Sequence, residues 1–337
     1  MREGGPALSV ITSGRNDDFG ARDFVGRLNG LVASLDRAAM TVRRRSVEVV
    51  VVDWNVVADR SPLRDALVAP EYVSLRVVEV PPELHERAVG DSGRRFHEFA
   101  AKNVGVVRAR SGRVLVVNAD VLVRPDLLRF CVRAPLGDHA FVRADRYDFR
   151  AEDGRGDSSG WPTVEPFVAR VRHGPSPLDH IALAVDPAAL RRDWPRSRRL
   201  RGELGSSVIW GPRGGLHRHF MRGAHTHQNG DFLCVSKAAW RSVGGIMEDP
   251  SKWLHVDSLF VATLLGANLR QVIYAKPGAL LHEDHPRATD EEKGEGEATW
   301  PMWLQRIQDI IDGRVPYRLN PGVFGLEDED LPEYTIT

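Results

Sequence analysis

Cysteine is nearly missing from this chain of 337 residues, with only Cys131 and Cys234 present. Two thiols cannot build a disulfide framework, so a reducing cytoplasm is the expected setting and each cysteine is expected as a small buried apolar group. Long apolar runs are missing too. The nearest, Leu259 to Leu269, falls short of a bilayer crossing. The opening MREGGPALSV carries no signal-peptide core. These absences predict a cytoplasmic protein without a transmembrane segment and leave peripheral attachment to a membrane open. Charge of one sign is not in excess either. Forty-six basic residues face forty-six acidic ones, with pI near 7.2, so nothing pulls the chain toward nucleic acid. No internal repeat or low-complexity tract is visible. What remains is ample material for a core, in one large α/β domain or two smaller ones.

Residues 98 to 128 organise the rest. Phe99, Val104, Val106 and Val107 recur among Lys102, Asn103, Arg108 and Arg110 at helical spacing, which predicts an amphipathic helix from Glu98 to Arg110, stopped by Ser111-Gly112. Val114 to Val117 is short, wholly apolar and mostly β-branched, as suits a strand buried on both faces of a parallel sheet. It ends at Asn118-Ala119-Asp120. A carboxylate at the C-terminal tip of a central strand lies where open α/β sheets bind ligands, and its hard oxygen suits Mg or Mn. Arg124-Pro125-Asp126 opens the next helix.

Upstream, Leu8 to Thr12 predicts a strand leaving through Ser13-Gly14-Arg15-Asn16-Asp17-Asp18. A helical pattern follows through Phe24, Leu28, Leu31, Val32 and Leu35. Val47 to Val52 then gives a second strand ending at Asp53-Trp54-Asn55. Together these make a βαβ unit whose ligand edge lies at the strand ends. Leu75 to Val80 is a third strand, halted by Pro81-Pro82, and ELHERAVGDSGRR reads as a looser connection. Taken alone, Asp53 reads as a turn cap, and Lys102 as a solvated helix cation.

The order of these parts resembles the nucleotide-sugar domain of GT-A glycosyltransferases, most closely the family-2-like enzymes. Their helix carries Ala-Arg-Asn-x-Gly before a strand ending in Asp-x-Asp, and the matching residues here are Ala101-Lys102-Asn103-Val104-Gly105 and Asn118-Ala119-Asp120. The resemblance implies a Rossmann-like, mostly parallel sheet flanked by helices, with a loop-rich acceptor half. It places Thr12, Ser13, Arg15 and Asn16 around the base, with Asp53 accepting a hydrogen bond from it. Lys102 and Asn103 fall toward the diphosphate, and Asn118 and Asp120 at the cation. The departure at Asn118 substitutes a weaker, uncharged oxygen for a carboxylate.

The second half continues the likeness. Gly230 to Ser236 predicts a strand, and Lys237 to Trp240 a helix ending at Gly244-Gly245. Ile246 to Ser258 enters a helix through Leu259, Val261, Leu264 and Leu265. GT-A enzymes begin that helix with an acidic Glu-Asp pair, which here reads Val256-Asp257, with Glu248-Asp249 as a second candidate. Asp257 is the expected general base. After a strand at Gln271 to Ala275, His282 matches a histidine that completes the metal site, with His285 the alternative. Imidazole beside a carboxylate leans the expected cofactor, Mn or Mg, toward Mn.

Other stretches stay open. Ala140 to Val142, with Arg143 and Ala144, reads as a strand. Residues 145 to 215 are rich in Gly, Pro, Asp and Arg, and Arg191 to Arg201 holds six arginines against Asp193. That run is either a solvated face or an approach for an anionic acceptor or lipid phosphate. His217, His219, His225 and His227 are polar loop residues or, in a hydrolase, metal ligands. Trp300 to Ile311 predicts an amphipathic helix, and the aromatic tail beyond it is expected to pack back on the catalytic half. The expected organisation is therefore a nucleotide-sugar half over 1–144, an acceptor half over 145–299, and a C-terminal helix and tail over 300–337. The expected activity is transfer of a sugar, from a UDP-sugar first, to a hydroxyl or amine of a glycan, lipid-linked or small-molecule acceptor, with inversion. The rivals are a nucleotidyltransferase, disfavoured by a first loop that is not Gly-rich, and a non-catalytic nucleotide-sugar-binding module, favoured by Asn118 and by His255 where an acid is expected.

Overall fold

The structure, a computed structural model, describes residues 5–17, 23–43, 46–56, 58–144, 146–149, 229–251, 256–274, 278–283, 306, 309–310, 313–314 and 318–337. Its first half alternates strand and helix. β1 (Leu8–Gly14), α1 (Phe24–Ala39), β2 (Val47–Trp54), the single turn α2 (Leu63–Ala66), β3 (Ser74–Val80), α3 (Pro82–Val89), α4 (Glu98–Arg108) and β4 (Arg113–Val117) follow in order. A short β5 (Val121–Val123), α5 (Pro125–Arg133), β6 (Ala140–Ala144) and β7 (Arg146–Phe149) complete it. The later part supplies β8 (Phe232–Ser236), α6 (Lys237–Ser242), α7 (Val256–Gly266), β9 (Arg270–Tyr274), β10 (Leu280–Glu283) and β11 (Glu333–Ile336).

Eight strands form one sheet in the order β11-β3-β2-β1-β4-β8-β6-β9. Its centre is parallel, with β8 antiparallel to both neighbours and β11 antiparallel at the edge. This is a mostly parallel α/β sheet flanked by helices, as the motif order implies. Every residue of β1 and β2 is buried, because helices cover both faces. Val49 and Val51 face the layer of α1 and α5, and Val50 and Val52 face the layer of α4, α6 and α7, the period-two alternation of a strand. Each such side chain contributes about 1.5–3 kcal/mol of burial. The sheet draws strands from all three sequence segments, since β8 inserts between β4 and β6, and β11 caps the β3 edge.

Three elements depart from the sequence expectations. The segment after Pro81-Pro82 is helical rather than loose, because Pro82 occupies the first helical turn, where a missing N–H costs nothing. β5, β10 and β7 form a second, three-stranded sheet, which begins immediately after Asp120. The tail adds a strand, fastened where the Arg108 guanidinium donates to the carbonyls of Gly325, Leu326 and Glu329 at 2.8–3.0 Å and where buried Arg76 pairs with Glu48 and Glu333. Among the described residues no helix is long and apolar enough to cross a membrane.

Candidate functional site

Parallel pairing fixes which residues share an edge. Gly14 pairs with Asp53, Trp54 with Val80, and Ile11 with Val116, so the segments leaving β1, β2 and β4 emerge side by side. β8 runs the other way and starts opposite Val117, which delivers Gly230 and Asp231 to the same edge. This is the carboxyl edge, where open α/β sheets bind ligands.

At the β1 and β2 ends lies a polar cleft of about 450 Å³, lined by Arg15, Asp17, Asn55, Asp59, Arg60, His85, Glu86, Arg94 and Arg95. Arg15 is the sequence-expected member. Its Nε donates to the Asn55 carbonyl at 3.0 Å, and its guanidinium pairs with Asp17 at 2.8 Å. Asn16 donates to the Ser61 carbonyl at 2.7 Å. The hydroxyls of Thr12 and Ser13 are buried and accept or donate no bond among the described residues. Asp53 does not line the cleft. It is 1% exposed and accepts from the Leu63 amide at 2.8 Å, the turn-capping role its residue type suggests alone. Burial raises its carboxyl to about 6, against the pull of the Leu63 N–H. His85, Arg94 and Arg95 also line the cleft, and no sequence signal marks them, since the prolines and glycines of their segment read as a loose connection. The Trp54 indole donates to His85 Nδ1 at 2.8 Å, which ties the cleft wall to the end of β2.

Lys102 and Asn103 face inward. The Lys102 ammonium, 1% exposed, donates to Glu98, to Asn118 Oδ1 at 2.7 Å and to the Gly230 carbonyl at 3.0 Å, so its three protons are committed. Asn103 is 0% exposed. Its amide donates to the Ile246 carbonyl and to Glu248, both at 2.7 Å, and accepts from Trp240 Nε1 at 2.9 Å and the Ile246 amide at 3.0 Å. All four valences are used, which clips α4 to the Gly244-Gly245 turn.

From Lys102 a polar chain crosses the edge. Asn118 donates to Asp231 at 2.8 Å, and Arg146 donates to the other Asp231 oxygen at 2.8 Å. Arg146 also pairs with Asp148 at 2.9 Å. His282 lies 3.1 Å from Asp148 through Nδ1 and 3.3 Å from Asp120 through Nε2. Burial disfavours charge on His282, but Asp120 and Asp148 outweigh it and hold the ring near 9. The same contest, won by Asp231 and Asp148, raises Arg146.

Asp120 and His282 therefore converge as a carboxylate and an imidazolium, whose Nε2 becomes a donor when an entering cation displaces its proton. Such a donor set fits a divalent cation that takes one or two protein ligands and completes its shell with phosphate and water. Asn118 Oδ1 accepts from Lys102 and its amide nitrogen donates to Asp231. Among the described residues no cluster of three or more His, Cys, Asp or Glu is arranged to hold a metal. Asp257 stands in the first turn of α7. Its Oδ1 accepts from the Ser258 amide at 2.8 Å and its Oδ2 from the Gly230 amide at 3.0 Å, which joins it through Gly230 to Lys102.

Several solved structures align with most of the chain. The chain aligns over 91% of its length with 71% of a crystal structure of S. aureus TarS 1–349, at 14% identity and TM-score 0.46. The complex of that protein with UDP aligns over 91% and 71%, at 15% identity and TM-score 0.45. The mannosyltransferase PcManGT from Pyrobaculum calidifontis, in complex with GDP-Man and Mn2+, aligns over 91% and 70%, at 14% identity and TM-score 0.39. No protein-family model and no curated protein sequence matches the chain.

Outside the described residues lie His255, His285, the histidines from His217 to His227, the arginine run from Arg191 to Arg201 and most of the expected helix from Trp300 to Ile311. Of the predicted site, the structure brings Asp120 together with His282, and Asn118 together with Lys102. It sets Asp53 and Asn103 into the interior.

Proposed function

We propose that this chain is a glycosyltransferase that moves a sugar from a nucleoside-diphosphate sugar, UDP-linked first, to a hydroxyl or amine acceptor. One observation carries the reading. A polar cleft at the β1 and β2 ends and the Asp120–His282 pair after β4 occupy one carboxyl edge, which is the placement a base and its diphosphate require. In this reading Arg15 and Asn55 hold the nucleoside, and Asp120 and His282 face the diphosphate. Mn or Mg, when bound there, supplies neutralisation of the leaving charge. Asp257 takes the acceptor proton as the acceptor oxygen or nitrogen bonds to the anomeric carbon and the bond from that carbon to phosphate breaks. Inversion follows from a single displacement. Positioning and charge stabilisation do most of the work.

A second reading, a nucleotide-sugar-binding module without turnover, is favoured by the two backbone amides that already engage Asp257. Calorimetry with UDP, GDP and dTDP, each with and without Mn2+, tests the shared premise; no binding in any arm refutes both readings. Mn2+-dependent release of UDP from UDP-sugars then selects the enzyme, and binding without release selects the module.

A further inference from the structure

Arg146 and Asp148 have no part in the reading above, yet both are buried, with side chains 4% and 8% exposed. Burying two acids, Asp148 and Asp231, is costly unless a cation lies between them, and Arg146 fills that place. The sequence Arg146-Tyr147-Asp148-Phe149 alternates in the manner of a strand. Tyr147 packs with Leu281, so Arg146 and Asp148 share the opposite face of β7. In the parallel pairing of β7 and β10, Asp148 is the register partner of His282. That register puts Asp148 Oδ1 3.1 Å from His282 Nδ1, while the far nitrogen, Nε2, lies 3.3 Å from Asp120 Oδ2.

A ring held at Nδ1 can offer only Nε2. We propose that Asp148, itself held by Arg146, is a positioning residue that aims Nε2 of His282 at Asp120 and so preforms a two-donor seat for a divalent cation. Arg146 has a second consequence, because by engaging Asp148 and Asp231 together it keeps both carboxylates from competing as ligands. Carboxylates that hold the outer nitrogen of a ligating histidine set its tautomer and orientation. The proposal rests on the reading of Asp120 and His282 as that seat.

The test is Mn2+ binding to the full chain, followed by calorimetry with and without UDP, and by the 14N coupling that electron spin-echo spectroscopy detects when imidazole ligates Mn2+. The wild type is expected to bind and to show the coupling, and His282→Ala to lose it. Asp148→Ala is expected to weaken Mn2+ binding about 10–100-fold and to diminish the coupling. Asp148→Asn keeps the shape and one acceptor oxygen, so it is expected to fall at the lower end of that range, and it decides the matter if the alanine variant does not fold. Mn2+ affinity and 14N coupling equal to wild type in the asparagine variant, or in a folded alanine variant, overturn the positioning role and leave the seat intact. A wild-type protein that binds no Mn2+ overturns the seat itself, and the positioning role with it.

Discussion

Asn103→Ala separates a nucleotide contact from a structural clip. The amide is fully buried, and it is the acceptor for the Trp240 indole N–H and the Ile246 amide. Removing it strands both donors. The groups to which Asn103 donates keep other partners, since the Ile246 carbonyl still accepts from Asn320 at 2.6 Å and Glu248 from the Gly325 amide at 2.8 Å. Two orphaned buried donors, at about 1–3 kcal/mol each, predict a loss of about 2–6 kcal/mol. That is a large part of a typical total of about 5–15 kcal/mol. Urea unfolding at pH 7 reads it as a lowered midpoint with unchanged slope. UDP affinity of the folded fraction, measured below the transition, is expected to stay within about threefold of wild type, because the amide has no valence left for a ligand. A stability loss under about 1 kcal/mol, or a tenfold loss of UDP affinity at unchanged stability, refutes the clip and returns Asn103 to the nucleotide.

Gly105→Ala tests the close approach of α4 to the sheet: a methyl there would lie 2.3 Å from Ile11 Cγ2 and 3.2 Å from Val52 Cγ2. Both neighbours are β-branched and stiff, so crowding of about 1–3 kcal/mol is expected to exceed the helix-propensity gain of about 1 kcal/mol and lower the melting temperature. Asp257→Asn keeps a single acceptor oxygen where the Ser258 and Gly230 amides engage one carboxylate oxygen each, so it is expected to lower stability by about 1–3 kcal/mol and to cut turnover of the folded protein on the order of 100-fold; near-normal turnover would leave Asp257 a structural acceptor.

The central strands and helices were legible because their signals are local and redundant. Val47 to Val52 and Val114 to Val117 are valine-rich runs broken only by Glu48 and Leu115, and α1 and α4 carry a helical apolar period. Order along the chain also placed Asp120 and His282 in one site, although 162 positions separate them. The partners of Lys102 and Asn103 were not legible. A lysine on an amphipathic helix reads as solvated, and only the return of β8 and the Gly244-Gly245 turn, more than a hundred residues later, supplies the acceptors that bury it. The four-residue β7 carried a readable alternation in Arg146-Tyr147-Asp148-Phe149, but it is too short to stand out beside a Gly- and Arg-rich stretch. β11 is exposed on its edge and paired only through long-range register, so no local pattern announces it.

Glu248 gives the fold a pH signature with a definite sign. Its carboxylate is raised to about 7 because burial disfavours the charge, while the Asn103 amide and the Gly325 N–H pull the other way. The unfolded chain titrates near 4.5, so between that value and about 7 the native state holds the extra proton. Stability therefore falls as pH rises through this window and is flat above it, a loss of about 3 kcal/mol. Glu248→Gln retains an oxygen for both donors and cannot ionise. It is expected to match wild type near pH 4.5 and to be the more stable protein at pH 8, by about 1–3 kcal/mol in urea unfolding. Asp53, raised to about 6 by burial, slopes the same way at lower pH but is common to both proteins and cancels in the difference. The tail would report the change as well, because the Gly325 amide donates to Glu248, and its hydrogen exchange is expected to be slower in the variant at pH 8. Parallel stability curves for Glu248→Gln and wild type between pH 5 and 8 would mean that the native carboxylate titrates normally, and that water rather than protein surrounds it.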